Sequence, residues 1–318
     1  MSRQDTTILL RAVAIAAVVF GHFGLQPLSG GALYLLALAG YNFVKFTIPK
    51  ISQSGKIQQL SEPLLRYGWK LYLPTGLYIL AVTVLTNQFS WTPLLMLTEI
   101  INPRGGGISY WFIEVLLQVY LVFGVTLIVA PKVRSLMLAN PFRFFATATI
   151  VFFVIRLGVM ALFLEAHPNQ LEFLRWPHLL AFAYFVGAMI AVSKTRAQKI
   201  VSTATVAAIC AESLFTSFGD DFTLLFIGLV LTLWVPTISI PKVTVPLVNN
   251  LAFSSLFIYL SHFQVRSIFE DRMTTVPTLV QVALALALGV AMTKAWKARH
   301  SIYEYLAPAN SEPLKRWA

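Results

Sequence analysis

Residues 6–25 read TTILLRAVAIAAVVFGHFGL, an apolar stretch that contains one arginine, Arg11, and one histidine, His22. A helix needs about 20 mostly apolar residues to cross a bilayer. The stretch therefore predicts a membrane-spanning helix. Only Arg3 gives a basic flank before it, and no clear small-residue cleavage site follows it. We therefore expect the helix to be retained and not removed as a signal peptide.

Apolar runs of similar length recur along all 318 residues, of which 57% are hydrophobic and only 12% charged. Soluble domains carry about 25% charged residues. We therefore predict an all-α integral membrane protein: one domain over residues 1–318, a bundle of about ten transmembrane helices, with no appended soluble domain. The predicted spans are 6–25, 31–49, 67–87, 109–130, 143–164, 178–193, 199–216, 222–238, 248–267 and 277–296.

The segment 89–101, FSWTPLLMLTEII, is apolar but too short to span the bilayer, and it contains Pro93. An apolar run of 10–14 residues is more typical of an interfacial or re-entrant segment. We expect one of these two arrangements for it.

The basic residues orient the bundle, because cytoplasmic loops are enriched in Lys and Arg. If both termini are cytoplasmic, 19 of the 24 basic residues fall on the cytoplasmic side, Arg156 lies within a span, and the outer side holds Arg104, Arg175, Arg266 and Arg272. Loop charge of this kind accounts for the net charge of +11 better than nucleic-acid binding does. The single cysteine, Cys210, excludes an intrachain disulfide and a CxxC metal site.

Arg11 and His22 are eleven residues apart, which is three helical turns plus about 20°. They therefore project from one face, about 16 Å apart along the axis. The plain alternative is an arginine that snorkels to the inner interface and a histidine at the outer one.

Two other predicted spans carry ionisable side chains in their outer thirds, where such groups are costly and mark candidate functional sites. One is Glu114 in YWFIEVLLQVY, which shares a helical face with Trp111 and Gln118. The other is His262 in FIYLSHFQV. Trp111 could equally be an interfacial anchor, and His262 a structural hydrogen-bonding histidine.

Arg66 and Lys70 lie one turn apart near the inner end of the third span, in LLRYGWKLYLP. Ordinary cytoplasmic loop charge explains them equally well. Taken together, the predicted topology puts Arg11, Arg66 and Lys70 near the inner face and His22, Glu114 and His262 at a similar outer depth. Arg and Lys suit phosphates, and histidine with carboxylate suits acid–base chemistry. The 16 Å gap is comparable to the reach of a phosphopantetheine arm.

The chain resembles the acyltransferase-3 family of membrane acyltransferases over about residues 6–296. The resemblance rests on five motifs in order: the Arg-x10-His of Arg11 and His22, GYNFVKF at 40–46, the basic stretch that ends at Pro74, YWFIEVLLQVY at 110–120 and YLSHFQV at 259–265. Members are ten-span bacterial proteins of the inner (plasma) membrane that O-acylate sugars and other small acceptors.

The resemblance implies an acyltransferase that moves an acyl group, expected to be acetyl, from cytoplasmic acetyl-CoA or another acyl-CoA to a hydroxyl of a glycan, a lipid-linked sugar or a small metabolite. His22 would be the general base or an acyl carrier, with Glu114 and His262 as further catalytic residues. Arg11, Arg66 and Lys70 would bind the CoA phosphates, and Trp111, Gln118 and Asn42 the substrate. No metal is implied.

The chain departs from the family pattern in two ways. The family commonly has two arginines three residues apart where this chain has Arg66 and Lys70, four apart. The esterase-like domain that some members append is not expected here.

The alternative function is a multi-span transporter or proton-coupled exporter, because buried His, Glu and Arg also mark transport paths. An inactive scaffold is a third possibility.

Overall fold

Helices make up nearly all of the regular structure, as the apolar runs predict. The computed structural model describes residues 1–25, 29–52, 57–87, 89–101, 110–164, 175–215, 222–272 and 275–306. Arg104, part of the predicted outer charge pattern, lies outside these residues. The chain divides into two compact units, one formed by Met1–Gly31 with Thr237–Ala318 and the other by Ala32–Pro236. We call them the terminal unit and the central unit.

The described elements follow one another in a simple order, with two short strands among the helices. In chain order they are β1 (Ser2–Asp5), α1 (Thr6–His22), α2 (Gly31–Phe46), α3 (Ile48–Ser52), α4 (Ile57–Leu85), α5 (Trp91–Leu94), α6 (Thr98–Ile101), α7 (Trp111–Val129), α8 (Pro131–Ala139), α9 (Pro141–Val159), a π-helical turn (Met160–Leu164), α10 (Pro177–Val192), α11 (Arg196–Phe215), α12 (Thr223–Trp234), β2 (Thr237–Ile240), a 3-10 turn (Lys242–Thr244), α13 (Val245–Phe253), α14 (Ser255–Arg272) and α15 (Thr278–Leu306).

In the terminal unit, β1 and β2 form an antiparallel ribbon in which Ser2 pairs with Ile240 and Asp5 with Thr237. The ribbon modifies the all-α expectation. The carboxylate of Asp5 then caps α1, accepting the N–H of Thr7 at 2.8 Å, so that the strand passes directly into the helix. The predicted eighth span, 222–238, ends four residues early because the chain leaves α12 at Trp234 and enters β2.

The predicted ninth span, 248–267, is not one straight helix. The chain bends by 76° between the segments Lys242–Phe253 and Ser255–Glu270. Ser254 lies at the bend: its N–H donates to the carbonyls of Asn250 and Leu251, which ends α13. Its own carbonyl accepts the N–H of Ile258 at 2.9 Å and so begins α14. Neither glycine nor proline stands at the break, so these common signals of a helix break do not predict it.

In the central unit, α10 is buried along almost its whole length, from Leu179 to Ile190. A helix that is apolar on every side is typical of such an interior position. It packs against α9 most extensively, and also against α7, α11 and α12. Phe185 joins this core to α7 and α9, with ring centroids 5.2 Å from Phe123 and 5.2 Å from Phe152.

Within the described residues, five helical segments are long and apolar enough to cross a membrane, and the bent pair adds a sixth if it is counted as one span. Three further apolar helices are shorter: Thr6–His22, Pro177–Val192 and Thr223–Trp234. Large apolar side chains are exposed on many of these helices, as a lipid environment requires. These features indicate a membrane protein built almost entirely of α-helices.

Candidate functional site

Arg11 and His22 both lie on α1, which runs without a break from Thr6 to His22. Because the helix is unbroken, the eleven-residue spacing places both side chains on one face, about 16 Å apart along the helix axis. Both are partly exposed. His22 is the last residue of the helix, so its ring stands at the end of α1.

His262 of α14 meets His22 directly within the terminal unit. Nδ1 of His22 lies 2.7 Å from Nε2 of His262, which is a hydrogen-bond distance. The ring centroids are 4.8 Å apart and the ring planes differ by only 8°. The two histidines that the sequence analysis proposed as catalytic therefore form one pair, although they are 240 residues apart in the chain.

The hydrogen bonds of this pair fix its tautomers. Nδ1 of His262 lies 3.2 Å from the carbonyl oxygen of Ile258. A carbonyl oxygen only accepts, so Nδ1 of His262 carries the proton and its Nε2 carries the lone pair. That lone pair accepts Nδ1–H of His22. In neutral His22, Nε2 is then the nitrogen that can take up a proton, as a general base must.

Aromatic rings surround the pair. The ring of Phe263 lies 4.6 Å from that of His22 and 4.1 Å from that of His262. The ring of Tyr259 lies 5.6 Å from that of His262. His262 is fully buried whereas His22 is partly exposed. His22 is therefore the more accessible member of the pair.

Glu114, Trp111 and Gln118 lie on α7 in the central unit. One carboxylate oxygen of the fully buried Glu114 accepts the backbone N–H of Glu99 at 3.2 Å. One turn further on, the side-chain amide of Gln118 donates to the carbonyl of Met96. Both side chains therefore bind the backbone of the segment that precedes α7. They have a structural role in holding that segment.

That segment, 89–101, contains only the short helices α5 and α6, and neither is long enough to cross a membrane. Two further side chains hold it: the hydroxyl of Tyr72 donates to the carbonyl of Leu94 at 3.1 Å, and the indole of Trp176 donates to the carbonyl of Glu99 at 3.1 Å. Irregular backbone at membrane depth is tolerated where protein groups satisfy it. We call residues 89–101, held in this way, the clamped segment.

The residues proposed to bind substrate and CoA also lie in the central unit, apart from Arg11. Arg66 and Lys70 are exposed, one turn apart on α4, and Arg66 is paired with Glu62 at 3.3 Å. Asn42 is half-buried on α2. Trp111 is half-buried, and the guanidinium of Arg175 lies 5.7 Å from the centroid of its ring. Within the described ranges, no group of three or more His, Cys, Asp or Glu side chains is placed to hold a metal ion.

The sequence analysis missed a buried ion pair in the central unit. Nε of Arg156 on α9 lies 3.0 and 3.2 Å from the two carboxylate oxygens of Glu212 on α11. The rings of Phe182 and Phe222 flank the guanidinium at 5.6 and 5.9 Å. The signal was available: each residue lies thirteen positions after the predicted start of its span, and the predicted topology runs both spans in the same direction.

Glu99 was missed for a different reason. It is almost fully buried, and its backbone takes part in two of the hydrogen bonds that hold the clamped segment. Backbone contacts of this kind leave no pattern in the sequence.

Comparison of the chain with protein-family models, with curated proteins and with solved structures gives no match.

Proposed function

We propose that the chain is a membrane-bound O-acyltransferase in which His22 is the general base. The observation that carries the proposal is the His22–His262 pair, which orients the histidine of the Arg-x10-His motif for proton transfer. The resemblance to the acyltransferase-3 family, which rests on five motifs of the sequence, supplies the reaction class.

The proposed step is a direct transfer. Nε2 of His22 removes the proton from the acceptor hydroxyl as its oxygen attacks the thioester carbonyl. The tetrahedral intermediate then collapses with cleavage of the C–S bond, and the departing CoA thiolate takes the proton from His22. The products are the ester and free CoA. Positioned acid–base catalysis of this kind typically contributes about 10²- to 10⁴-fold.

Arg11, Arg66 and Lys70 are the proposed contacts of the CoA phosphates. Arg66 and Lys70 are exposed on α4, and the pair that Arg66 forms with Glu62 is also exposed. Exposed pairs contribute about 0–1 kcal/mol, so a phosphate can replace Glu62 at little cost. Arg11 is about 16 Å from His22 along α1, close to the length of the phosphopantetheine arm.

The proposal includes ten spans with both termini in the cytoplasm, in the bacterial inner (plasma) membrane. The helices that support this count are the five long spans, the bent pair, the three shorter apolar helices and α11. On this topology the basic ends of α2, α4 and α15 face the cytoplasmic donor. The proposed acceptor is a hydroxyl of a glycan, a lipid-linked sugar or a small metabolite, acylated near the outer leaflet.

The test is thiol release from acetyl-CoA by the purified protein in detergent, with candidate sugar acceptors. His22→Ala should reduce the rate by at least about 100-fold. His178→Ala is the control, because His178 is an exposed histidine of the other unit. If folded wild-type protein neither binds nor cleaves acetyl-CoA, the proposal is wrong. Labelling of a cysteine at position 22 from outside, in a Cys210→Ala background, tests the depth of the site.

A transporter or proton-coupled exporter is the second candidate, and two observations favour it. Broken helices are common in transporters, and α13 and α14 meet at a 76° bend. Buried ionisable pairs such as Arg156 and Glu212 also mark transport paths. Proton uptake by proteoliposomes that depends on a solute gradient, with no thiol release under any condition, would favour this candidate over the transferase.

A further inference from the structure

The start of α11 and the end of α12 meet in the central unit around the indole of Trp234. Its Nε1 donates to the hydroxyl of Thr203 at 3.0 Å, which holds the ring in place. Nζ of Lys199 lies 5.3 Å from the ring centroid, within the range of a cation–π interaction. Lys199 and Thr203 are one turn apart on α11, so a cation, a hydroxyl and an indole form one cluster.

Two more cations adjoin this cluster. Arg196 is three residues before Lys199 and therefore shares its helical face. Lys194 lies two residues before the start of the helix, and its backbone N–H donates to the side-chain oxygen of Gln198 at 2.9 Å. Gln198 in turn donates its own N–H to the hydroxyl of Thr195 at 3.2 Å. This reciprocal cap fixes the turn that carries the cations, and both Lys194 and Arg196 are exposed.

The charge of this region is not neutralised within its own helix. The sequence of α11 contains one carboxylate, Glu212, more than three turns beyond Lys199, and that carboxylate is buried against Arg156. The helix itself therefore offers no carboxylate near these three cations, and an anion from outside the helix can bind them. Phosphate is one of the anions that clustered Lys and Arg bind well.

Apolar surface continues from the cations along the same face. Ile200 is 54% exposed and Trp234 is 42% exposed. Ala207, one turn beyond Thr203, is also exposed. A free phosphate would bind only the cations and would not cover this apolar surface. A molecule with a phosphate at one end and hydrocarbon at the other would use both.

We propose that this corner, formed by Lys194, Arg196, Lys199, Thr203 and Trp234, is a binding site for an anionic phospholipid. The lipid phosphate contacts the three cations, and an acyl chain lies along Ile200 and the Trp234 ring. Trp and Lys residues are typical of membrane interfaces, where anionic headgroups and aromatic side chains meet. The site is independent of the proposed acyl transfer.

The test uses the intact purified protein in neutral detergent, titrated with phosphatidylglycerol or phosphatidylcholine and followed by native mass spectrometry. Wild type should bind phosphatidylglycerol in preference to phosphatidylcholine. Arg196→Gln with Lys199→Gln should weaken phosphatidylglycerol binding more than tenfold, because each basic residue contributes about fivefold at a membrane surface. Trp234→Leu should weaken it less. Lys132→Gln, which removes an exposed cation of α8, is the control and should leave binding unchanged.

Three results would each overturn the proposal. One is equal binding of the two lipids by wild type. Another is a loss of binding in Lys132→Gln as large as in the double variant. The third is competition by millimolar inorganic phosphate or CoA that removes phosphatidylglycerol, because the corner would then be a site for a soluble phosphate. Circular dichroism of each variant confirms that a loss of binding is not a loss of fold.

Discussion

Nδ1 of His22 and Nε2 of His262 share a proton across 2.7 Å, and the carbonyl of Ile258 holds the second ring. The pair therefore has a direction: the proton on His262 points to the backbone, and the basic nitrogen of the pair is Nε2 of His22. His262 is buried and cannot reach an acceptor molecule. The sequence analysis predicted His262 as a catalytic residue, and we propose the more specific role of a positioning residue that acts through His22.

Replacing His262 should therefore slow the reaction without changing substrate affinity. In His262→Ala the proton of His22 Nδ1 loses its acceptor, and kcat for thiol release should fall about 10- to 100-fold, as for other residues that orient a functional ligand or base. KM for acetyl-CoA should be unchanged. His262→Gln offers an amide oxygen in place of Nε2 and should restore part of the rate. The measurement is the steady-state kinetics of thiol release.

Equal rates for the Ala and Gln variants would contradict this role, because the Gln variant keeps an acceptor for His22. A rise in KM at constant kcat would instead place His262 at a substrate. Thermal unfolding of both variants in detergent separates either result from loss of structure.

The sequence anticipated the two histidines but not their contact. Counting residues from the predicted span ends put His22 and His262 at one depth, and depth is all that topology can provide. Which helices are neighbours depends on side-chain packing, and here it also depends on the bend at Ser254, which sets the direction of α14. Nothing in the residues around Ser254 signals that bend.

Two substitutions of Glu114 distinguish the effect of losing its charge from the effect of losing its hydrogen bond, and we expect them to show a structural role. Glu114→Gln keeps an oxygen that can accept the N–H of Glu99, whereas Glu114→Ala leaves that buried N–H without its acceptor. An unsatisfied buried donor costs about 1–3 kcal/mol. We expect Glu114→Ala to lower the unfolding midpoint clearly and Glu114→Gln to lower it little. The measurement is thermal unfolding in detergent.

Activity of the same two variants then decides whether Glu114 is also catalytic. A Glu114→Gln protein with near-normal stability and near-normal thiol release would restrict Glu114 to holding the clamped segment. A Glu114→Gln protein that is stable but inactive would show that the carboxylate takes part in the chemistry. Gln118→Leu, which removes the donor to Met96, is the companion variant for the clamped segment alone.

The buried pair of Arg156 and Glu212 should be strongly coupled. Removing one partner leaves an uncompensated buried charge, at a typical cost of about 3–5 kcal/mol. Arg156→Leu and Glu212→Leu should therefore each destabilise the protein severely, and the double variant should be more stable than either single variant. The measurement is a double-mutant cycle on the free energy of unfolding. The exposed pair of Arg266 and Glu270, at 2.6 Å, is the control, with an expected effect of about 1 kcal/mol or less.

Additive effects of the two single substitutions would contradict this coupling. The pair also shows what the sequence could have predicted. Opposite charges at equal depth in two spans of the same direction are readable without a structure, because an unpaired charge in lipid is rare. The cation–π contacts with Phe182 and Phe222 cannot be predicted from the sequence, because they depend on the orientation of α10 and α12 about their axes.

Helices α2 and α10 of the central unit approach each other closely at two glycines that the sequence analysis did not select. A Cβ at Gly187 of α10 would lie 1.7 Å from the carbonyl oxygen of Ala37, and a Cβ at Gly40 of α2 would lie 1.9 Å from that of Tyr184. Membrane helices commonly approach each other through such small residues. The clashing atoms are backbone, so no side chain can move aside, and α2 and α10 must separate.

Gly187→Ala and Gly40→Ala should therefore each destabilise the protein by at least about 1–3 kcal/mol, the usual cost of overpacking. Gly158→Ala is the matched control, because a Cβ there has no atom within 4 Å. The control should be neutral or stabilising by up to about 1 kcal/mol, since alanine favours the helix more than glycine does. Thermal unfolding in detergent compares the three. If the Gly187 and Gly40 variants unfold at the same temperature as the Gly158 variant, α2 and α10 do not pack this closely.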